Sequence, residues 1–202
     1  MSNFNIEKGT CNHANGGILN YLAMAKMSHI MLGSDSKDKV VKELQLLFEN
    51  KGNRFSHDKS FVATVDGHHA GLVTCMSHQD MTMTTLETVK QLVKMKKSKV
   101  FSLVFNNFKD LISLMAFKES KSGEYHISLL ATMPDYQGMG IASALIKKAE
   151  TEARFNGFDK ISLTVDKDNT NAKKLYENLG FRIVEDSTFG QLKLWRMVKL
   201  LR

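Results

Sequence analysis

The sequence predicts an α/β fold in one domain spanning residues 1–202, with a central sheet of about seven strands flanked by helices. Two observations carry this prediction. Short runs rich in β-branched and apolar residues alternate along the chain with longer segments of helical periodicity. In addition, a glycine-rich turn leads from an apolar strand into a long helix in the second half of the chain. A chain of 202 residues can bury a substantial core in a single domain.

The first eighty residues predict a strand, two helices and a hairpin of two strands. The hairpin is marked by Asp66-Gly67, a dipeptide that favours tight two-residue turns. Gly33 and Gly52 follow the helical segments, which they are expected to end. The predicted bounds are a strand at 3–8, helices at 17–31 and 38–50, and strands at 60–65 and 69–77.

Residues 82–121 form a lysine-rich insertion with two helical patterns, at 84–97 and at about 100–118. The insertion holds eight lysines and three acidic residues, so it supplies five of the seven excess positive charges of the chain. The wide apolar band of its second helix predicts a helical hairpin packed on the domain. The functional alternatives are a lid over the functional site, a dimer surface and a membrane-surface helix. The lid is favoured among them because the insertion directly precedes the strand that enters the glycine-rich turn.

Four strands and two helices are predicted after the insertion. The first strand runs through a short connection at 132–136 into a helix that begins at about Gly140 and ends before Gly157. An asparagine cap and Gly180 mark the two ends of a second, shorter helix. The predicted bounds are strands at 125–131, 160–165, 181–184 and 192–199, and helices at 140–156 and within 168–180.

The glycine-rich turn, at residues 137–143, has the features of a phosphate-binding loop. Glycines lack a Cβ atom, so the backbone can approach an anion closely. The first N–H groups of a helix have no intrahelical partner, and the helix dipole favours negative charge there. A P-loop would need Gly-Lys-Ser/Thr at Gly140, and a dinucleotide fingerprint would need glycine or alanine where Ser143 stands. The turn therefore predicts a phosphorylated ligand bound in a different type of loop.

Gln137, Gly140 and Ala142 match the pattern Gln/Arg-x-x-Gly-x-Gly/Ala, which resembles the acyl-coenzyme A loop of the GNAT N-acetyltransferase superfamily. Residues 168–181 are similar to the second cofactor segment of that family, and the two blocks come in the family's order. The resemblance implies a GNAT-type acyl-CoA N-acyltransferase fold with a mixed central sheet. It also implies direct transfer of the acetyl group from acetyl-CoA to a primary amine in a ternary complex.

The resemblance further implies which residues bind acetyl-CoA as a co-substrate. In the family, the strand before the loop splays from its neighbour and leaves backbone groups free for the pantetheine arm. Asn171 would contact the cofactor near the pantetheine, although its position also suits a helix cap. The implied cofactor-binding residues are Leu130, Ala131, Thr132, Gln137, Gly138, Met139, Gly140, Ile141, Ala142, Ser143 and Asn171.

Two residues are implied in catalysis. Tyr176 matches the family's tyrosine that points at the thioester sulfur, so it is the candidate general acid for the leaving thiolate; packing beside the cofactor is its structural alternative. Glu124 is the candidate general base, because histone-type members place a glutamate at a similar offset before the loop; its alternative is a solvated carboxylate at a strand end. His126 is a further candidate base. Strand alternation would place Glu124, His126 and Ser128 on one face.

Composition argues against several other classes. Cys11 and Cys75 provide neither a disulfide framework nor a zinc set, so no metal site is expected. Residues 1–20 have no signal-peptide pattern and no segment has the apolar length of a membrane span, so a cytoplasmic location without a membrane partner is expected. The net charge of +7 suits nucleic acid, but no recognition motif accompanies it, so nucleic acid is not an expected partner.

Several partners and one rival function stay open at this point. A small-molecule amine and a protein amine both suit the acceptor position, and a homodimer is left open. A non-catalytic acyl-CoA-binding or sensor protein on the same fold is the principal alternative. Such a protein would keep the glycine-rich turn but would not need Tyr176.

Overall fold

The computed structural model describes residues 4–96, 119–189 and 192–201. Within these residues, seven strands form one mixed sheet in the order β1-β2-β3-β4-β5-β7-β6. The strands are β1 (Asn5–Lys8), β2 (Ser60–Val65), β3 (His68–Ser77), β4 (Tyr125–Thr132), β5 (Lys160–Asp166), β6 (Arg182–Phe189) and β7 (Leu192–Leu200). The α-helices are α1 (Gly16–Met24), α2 (Lys26–Leu32), α3 (Lys37–Glu49), α4 (His78–Lys96), α5 (Ile141–Phe155) and α6 (Thr170–Asn178). Short 3-10 helices lie at His57–Lys59 and Pro134–Tyr136.

Helices cover both faces of the sheet, and each face has its own apolar core. On one face, α5 packs against β2, β3 and β4, and its fully buried Leu145 and Ile146 belong to the largest apolar cluster. On the other face, Leu19 of α1 and Phe48 of α3 pack in one cluster with Leu72 of β3. Burying these large side chains removes apolar surface from water and holds the three layers together.

Strands β4 and β5 are parallel neighbours that separate along their length. Their pairing covers three residue pairs, from Tyr125 opposite Ile161 to Ile127 opposite Leu163. Beyond that point β4 continues to Thr132, still paired with β3, while β5 continues to Asp166, still paired with β7. A wedge therefore opens in the middle of the sheet, between the C-terminal halves of β4 and β5.

A bulge in β4 lies at the point where this wedge begins. Cys75 of β3 is opposite Ile127, but the next residue back on β3, Thr74, is opposite Leu129. Ser128 is thus the extra residue, and bulges of this kind bend a strand and redirect its side chains. The bend turns β4 away from β5 immediately after their last shared pair.

Most of the predicted elements are present at nearly the predicted positions. The mixed, helix-flanked sheet is confirmed, and the hairpin turn at Asp66-Gly67 has positive φ angles of 48° and 79°. The prediction of one helix at 17–31 was wrong, because Ala25 has φ 46° and ψ −121° and separates α1 from α2. Helix α4 begins at His78, six residues before the predicted start at Thr84. The second helical pattern of the insertion lies outside the described residues.

Candidate active site

The wedge between β4 and β5 opens into a cleft of about 580 Å³. Ile127 to Leu130 line it from β4, and Leu163 to Asp166 line it from β5. The segment that joins α1 to α2 and one side of α4 form the opposite wall. This wall is largely apolar and rich in methionine; its lining residues include Leu22, Met24, Met27, Met31, Phe55, Val89 and Leu92.

The glycine-rich turn presents an uninterrupted row of free backbone donors. Gly138 and Gly140 have φ angles of 80° and 82°, a backbone conformation that residues other than glycine rarely adopt. Gly140 is the residue before α5, and it provides no side-chain cap. Among the described residues, the N–H groups of 138–143 have no acceptor, whereas the flanking Gln137 and Ala144 donate to Pro134 and Gly140.

The space around this turn also suits an anion. A Cβ atom added to Gly138 or Gly140 would meet no other atom within 4 Å. The two glycines are therefore required for the backbone conformation and not for lack of room, since the volume that a side chain would occupy at each is open. Six free donors at the N-terminus of a long helix form the arrangement that binds phosphate groups. The residues present fit a pyrophosphate.

Strand β4 offers a second row of free backbone groups along the wedge. The Met133 N–H donates to Ala70 O on the β3 side. Because successive residues of a strand point their backbone groups to opposite sides, the N–H groups of Leu130 and Thr132 face the wedge. The buried Oγ1 of Thr132 also lacks a hydrogen-bond partner in the described part of the chain. An extended, amide-containing ligand could therefore pair with β4 here as an additional strand would.

Tyr176 lies in α6 and is one of the residues that line the cleft. The residue is buried, and its ring packs at 6.1 Å from that of Phe181. Burial raises the pKa of Tyr176 to about 12, so the hydroxyl stays protonated at neutral pH. Tyr176 is thus a residue of the cleft lining whose hydroxyl keeps its proton.

The cap of α6 is Asn169, whose side chain accepts a hydrogen bond from the Ala172 N–H at 3.0 Å. Interpreting Asn171 as the helix cap was therefore wrong; Asn171 is exposed in the first turn of α6. Asn169 also lines the cleft, so the cap residue is the asparagine closer to the wedge. The Gly180 stop is confirmed, with φ 92° and the Phe181 N–H donating to Tyr176 O.

Glu124 is a buried ion-pair residue. Its carboxylate accepts hydrogen bonds from the Arg196 guanidinium of β7 and from the Lys121 N–H. Burial by itself would raise the pKa of Glu124, but the hydrogen bonds of Arg196, of Lys121 and of the Ser162 hydroxyl lower it. These contacts occupy the carboxylate at the end of β4 remote from the wedge. They do not favour Glu124 as the group that receives a proton from an amine in the cleft.

Glu119 is a carboxylate that lines the cleft, and the motifs did not reveal it. Its Oε2 accepts a 2.8 Å hydrogen bond from Arg54, which also donates to Ser128 Oγ at 2.8 Å. His126 Nε2 lies 3.4 Å from the same Oε2. Burial would raise the pKa of Glu119, but Arg54 and His126 together lower it to about 2. Glu119 is therefore an anion held between two basic groups at the inner end of the cleft.

Among the described residues, no three His, Cys, Asp or Glu side chains are grouped so that they could hold a metal ion. Within the same ranges, no helix is both long and apolar enough to cross a membrane.

The comparisons with known proteins agree with this geometry. A sequence profile of the acetyltransferase (GNAT) family matches residues 25–181. A curated acetyltransferase of Pectobacterium atrosepticum is 39% identical over 62 residues, which make up 31% of this chain and 44% of that protein. The match thus spans less than half the length of this curated relative.

Two solved structures share the fold over nearly their whole length. One is a crystal structure of an acetyltransferase, with a TM-score of 0.74, 20% identity, and coverage of 98% of this chain and 100% of that one. The other is an N-acetyltransferase from Staphylococcus aureus, with a TM-score of 0.70, 19% identity, and coverage of 96% and 99%. At this identity the likeness concerns the fold. The splayed β4, the free N–H groups of the glycine-rich turn and the profile match over most of the chain lead to one conclusion: the chain belongs to the acetyltransferase (GNAT) family.

Proposed function

We propose that this protein transfers the acetyl group of acetyl-CoA to a primary amine by direct attack while both substrates are bound. One observation carries the proposal: the row of free N–H groups at 138–143 follows the C-terminal end of β4 in the chain, and β4 itself has free backbone groups that face the wedge. A ligand with a pyrophosphate at one end and an amide-containing arm at the other would satisfy both sets of groups. Coenzyme A has this composition.

In this proposal, the pyrophosphate lies on the turn at residues 138–143, and the pantetheine arm runs along β4 beside Leu130 and Thr132. Acetyl-CoA supplies an activated acetyl thioester when it is bound. The N–H groups of β4 that face the wedge are the donors available to the carbonyl oxygen, where negative charge develops during attack. Donors fixed in a folded strand need little reorganisation, which is what makes such groups effective.

Tyr176 is proposed to assist the departure of the coenzyme A sulfur. A phenol with a pKa raised to about 12 is a weaker acid than a thiol, whose pKa is roughly 8.5. Complete proton transfer from Tyr176 to the thiolate would therefore be uphill. A hydrogen bond from the Tyr176 hydroxyl to the sulfur is the contribution that this pKa favours.

The acceptor amine is proposed to enter along the apolar wall and to place its nitrogen beside Glu119. The Glu119 carboxylate attracts an ammonium group, and Arg54 keeps that carboxylate ionised and in place. Methionine side chains adapt their shape easily, so Met24, Met27 and Met31 suit an acceptor that carries an apolar group. Small-molecule amines and protein amines both remain candidates, and Glu119 replaces Glu124 as the proposed carboxylate for the amine.

The experiment is a calorimetric titration of the purified protein with acetyl-CoA, with NADH and ATP as controls, followed by an amine panel in a thiol-release assay. Binding of acetyl-CoA in preference to both controls, together with amine-dependent thiol release, is the expected result. Binding without turnover of any amine would favour the non-catalytic acyl-CoA binder instead. Absence of acetyl-CoA binding would refute both functions.

A further inference from the structure

The segment between α3 and β2 is anchored by the side chain of Asn53. Its amide nitrogen donates to the carbonyl oxygens of Leu47 and Asn50 at 2.7 and 3.0 Å, and it also donates to Gln91 Oε1 of α4 at 2.9 Å. Its amide oxygen accepts a hydrogen bond from the Phe55 N–H at 2.8 Å. Asn53 is fully buried, so water does not compete for these hydrogen bonds. The residue between Asn53 and Phe55 therefore projects from a fixed base.

That residue is Arg54, which contacts three other parts of the chain from this base. Its backbone N–H donates to Thr88 Oγ1 of α4 at 3.0 Å. Its Nη2 atom donates to Glu119 Oε2 and to Ser128 Oγ of β4, each at 2.8 Å. These two contacts form the Arg54 bridge, and one nitrogen can make both because it carries two N–H bonds. The side chains of Arg54 and Glu119 are 13% and 11% exposed, so the bridge is largely protected from water.

Ser128, at one end of the bridge, is the bulged residue of β4. The last pair between β4 and β5 joins Ile127 to Leu163, so Ser128 is the first residue of β4 beyond the shared pairs. A bulged residue is left unpaired by the ladder, so its side-chain hydrogen bond is one of the restraints that remain on it. Arg54 supplies that hydrogen bond from the fixed base around Asn53.

The bulge determines where the free backbone groups of β4 point. The N–H groups of Leu130 and Thr132, which face the wedge, follow Ser128 by two and four residues. A change of φ and ψ at the bulge would redirect the strand beyond it and move these donors relative to β5. Groups that already have their bound geometry spare the ligand the cost of ordering them. Restraint at Ser128 therefore favours a ligand that pairs with this part of β4.

We propose that Arg54 is a positioning residue for the cofactor side of the site, because its bridge fixes the Ser128 bulge and so sets the affinity for acetyl-CoA. Arg54 acts through Ser128 rather than by contact with the coenzyme. The inference rests on the proposed function, since acetyl-CoA is the ligand expected along β4. It adds a link between the two substrates, because the nitrogen that restrains Ser128 also holds Glu119, the carboxylate proposed to meet the amine.

A simple ion pair between Arg54 and Glu119 would have different consequences. Loss of such a pair would destabilise the fold and release Glu119, but the affinity for acetyl-CoA would stay the same. The bridge instead predicts that loss of the Ser128 hydroxyl alone, with the ion pair intact, reproduces the effect of losing Arg54. Lysine has a shorter side chain and no planar fork, so Arg54→Lys should keep the charge but should not reach both oxygens.

The first test is a double-mutant cycle on the dissociation constant of acetyl-CoA, measured by calorimetry with Arg54→Met, Ser128→Ala and the two changes combined. Each single variant should raise the dissociation constant roughly tenfold, as expected for the loss of one charged hydrogen bond. The double variant should bind no more weakly than the single variants, because both changes break the same bridge. Normal affinity in Ser128→Ala, or effects of the two changes that multiply in the double variant, would overturn the proposal.

The matched control is Lys96→Met, which removes a cation of similar burial. Lys96 lies in α4, is paired with Glu43 of α3, and has a side chain that is 9% exposed. Both Arg54→Met and Lys96→Met should lower the free energy of unfolding, but only Arg54→Met should weaken the binding of acetyl-CoA. Equal losses of affinity in the two variants would mean that Arg54 acts through general stability, and this result would overturn the proposal.

The second test needs no acetyl-CoA and follows hydrogen–deuterium exchange in the peptide that contains β4. Arg54→Met and Ser128→Ala should speed the exchange of this peptide by about tenfold, because the bulge is no longer held, whereas Lys96→Met should not. Exchange in Arg54→Met at the rate of the unmodified protein would overturn the proposal. Failure of the proposed function would appear separately, as an unmodified protein that does not bind acetyl-CoA, while exchange would still report on the bridge.

Discussion

Replacing Arg196 with leucine should destabilise the protein strongly, because Glu124 would be left buried without its partner. Arg196 and Glu124 are 3% and 6% exposed, respectively. Breaking a buried ion pair by removing one member typically costs about 3–5 kcal/mol, since the remaining charge is neither solvated nor paired. Replacing both members by leucine removes both charges, and the double variant Arg196→Leu/Glu124→Leu should fall within about 1 kcal/mol of the unmodified protein.

The assay is urea unfolding, followed by the fluorescence of Trp195, the single tryptophan of the chain and the neighbour of Arg196. Far-UV circular dichroism should give the same midpoint if unfolding is two-state. The matched control is Lys90→Leu, which breaks an exposed ion pair with Glu87 on α4. That change should alter the free energy of unfolding by about 0.5 kcal/mol or less, as for most exposed pairs.

The pH dependence of the free energy of unfolding provides an independent test of the Arg196–Glu124 ion pair. In the unmodified protein the pKa of Glu124 is lowered in the folded state, so its contribution is present above the unfolded pKa of about 4.3 and is lost as the pH falls through the lower, folded value. In Arg196→Leu, burial should raise the folded pKa above the unfolded one, so this variant should gain stability as the pH falls from 8 to 5, on the order of 1 kcal/mol. A single variant as stable as the unmodified protein, or a double variant no more stable than the single one, would refute the reasoning.

Three further predictions address the cleft and its walls. Gly140→Glu should abolish acetyl-CoA binding in calorimetry, because it places bulk and negative charge beside the free N–H groups. The control is Gly157→Glu, at the other end of α5 with a similar φ of 79°, and this variant should bind acetyl-CoA normally. Equal effects of the two substitutions would show that the turn does not bind acetyl-CoA. Tyr176→Phe should lower kcat by about tenfold with little change in acetyl-CoA affinity, because it deletes the donor and keeps the ring; unchanged kcat would exclude the hydrogen bond to sulfur. Ala25→Gly should raise the free energy of unfolding by about 1 kcal/mol by relieving the positive φ between α1 and α2, and a lower melting temperature would contradict this.

The strand framework and the glycine-rich turn could be predicted because their signals are local. Asp66-Gly67 needs no distant partner to specify a hairpin, and the strand, turn and helix around Gly140 occupy one continuous segment. The break at Ala25 could not be predicted in the same way. Alanine is the strongest helix former, and no glycine or proline interrupts the pattern there, so tertiary packing has overridden local propensity.

The carboxylate that is proposed to meet the amine was harder to predict, because its environment depends on residues far away in the chain. Glu124 stood at the expected offset before the loop, but its partner Arg196 is 72 residues away, so no local pattern indicated the ion pair. Glu119 lies five residues earlier and was grouped with the lysine-rich insertion. Its pairing with Arg54, 65 residues away, is what distinguishes it from a solvated side chain. Among polar residues, the sequence patterns identified positions on β4, and the fold determined which of them face the cleft.

The short parallel seam between β4 and β5 has a mechanical consequence. Three residue pairs join the two parts of the sheet, a four-stranded part that contains β1 to β4 and a three-stranded part that contains β5 to β7. Such a short seam allows hinge motion between the two parts. The backbone amides at the ends of the seam should therefore exchange with deuterium sooner than the amides in the middle of either part of the sheet. A ligand that binds across the open wedge, in contact with both β4 and β5, would hold the two parts of the sheet in a fixed relative position. At a concentration of 100 times its dissociation constant, it would add about 2.7 kcal/mol of stability, and this gain should appear first as slower exchange along the seam.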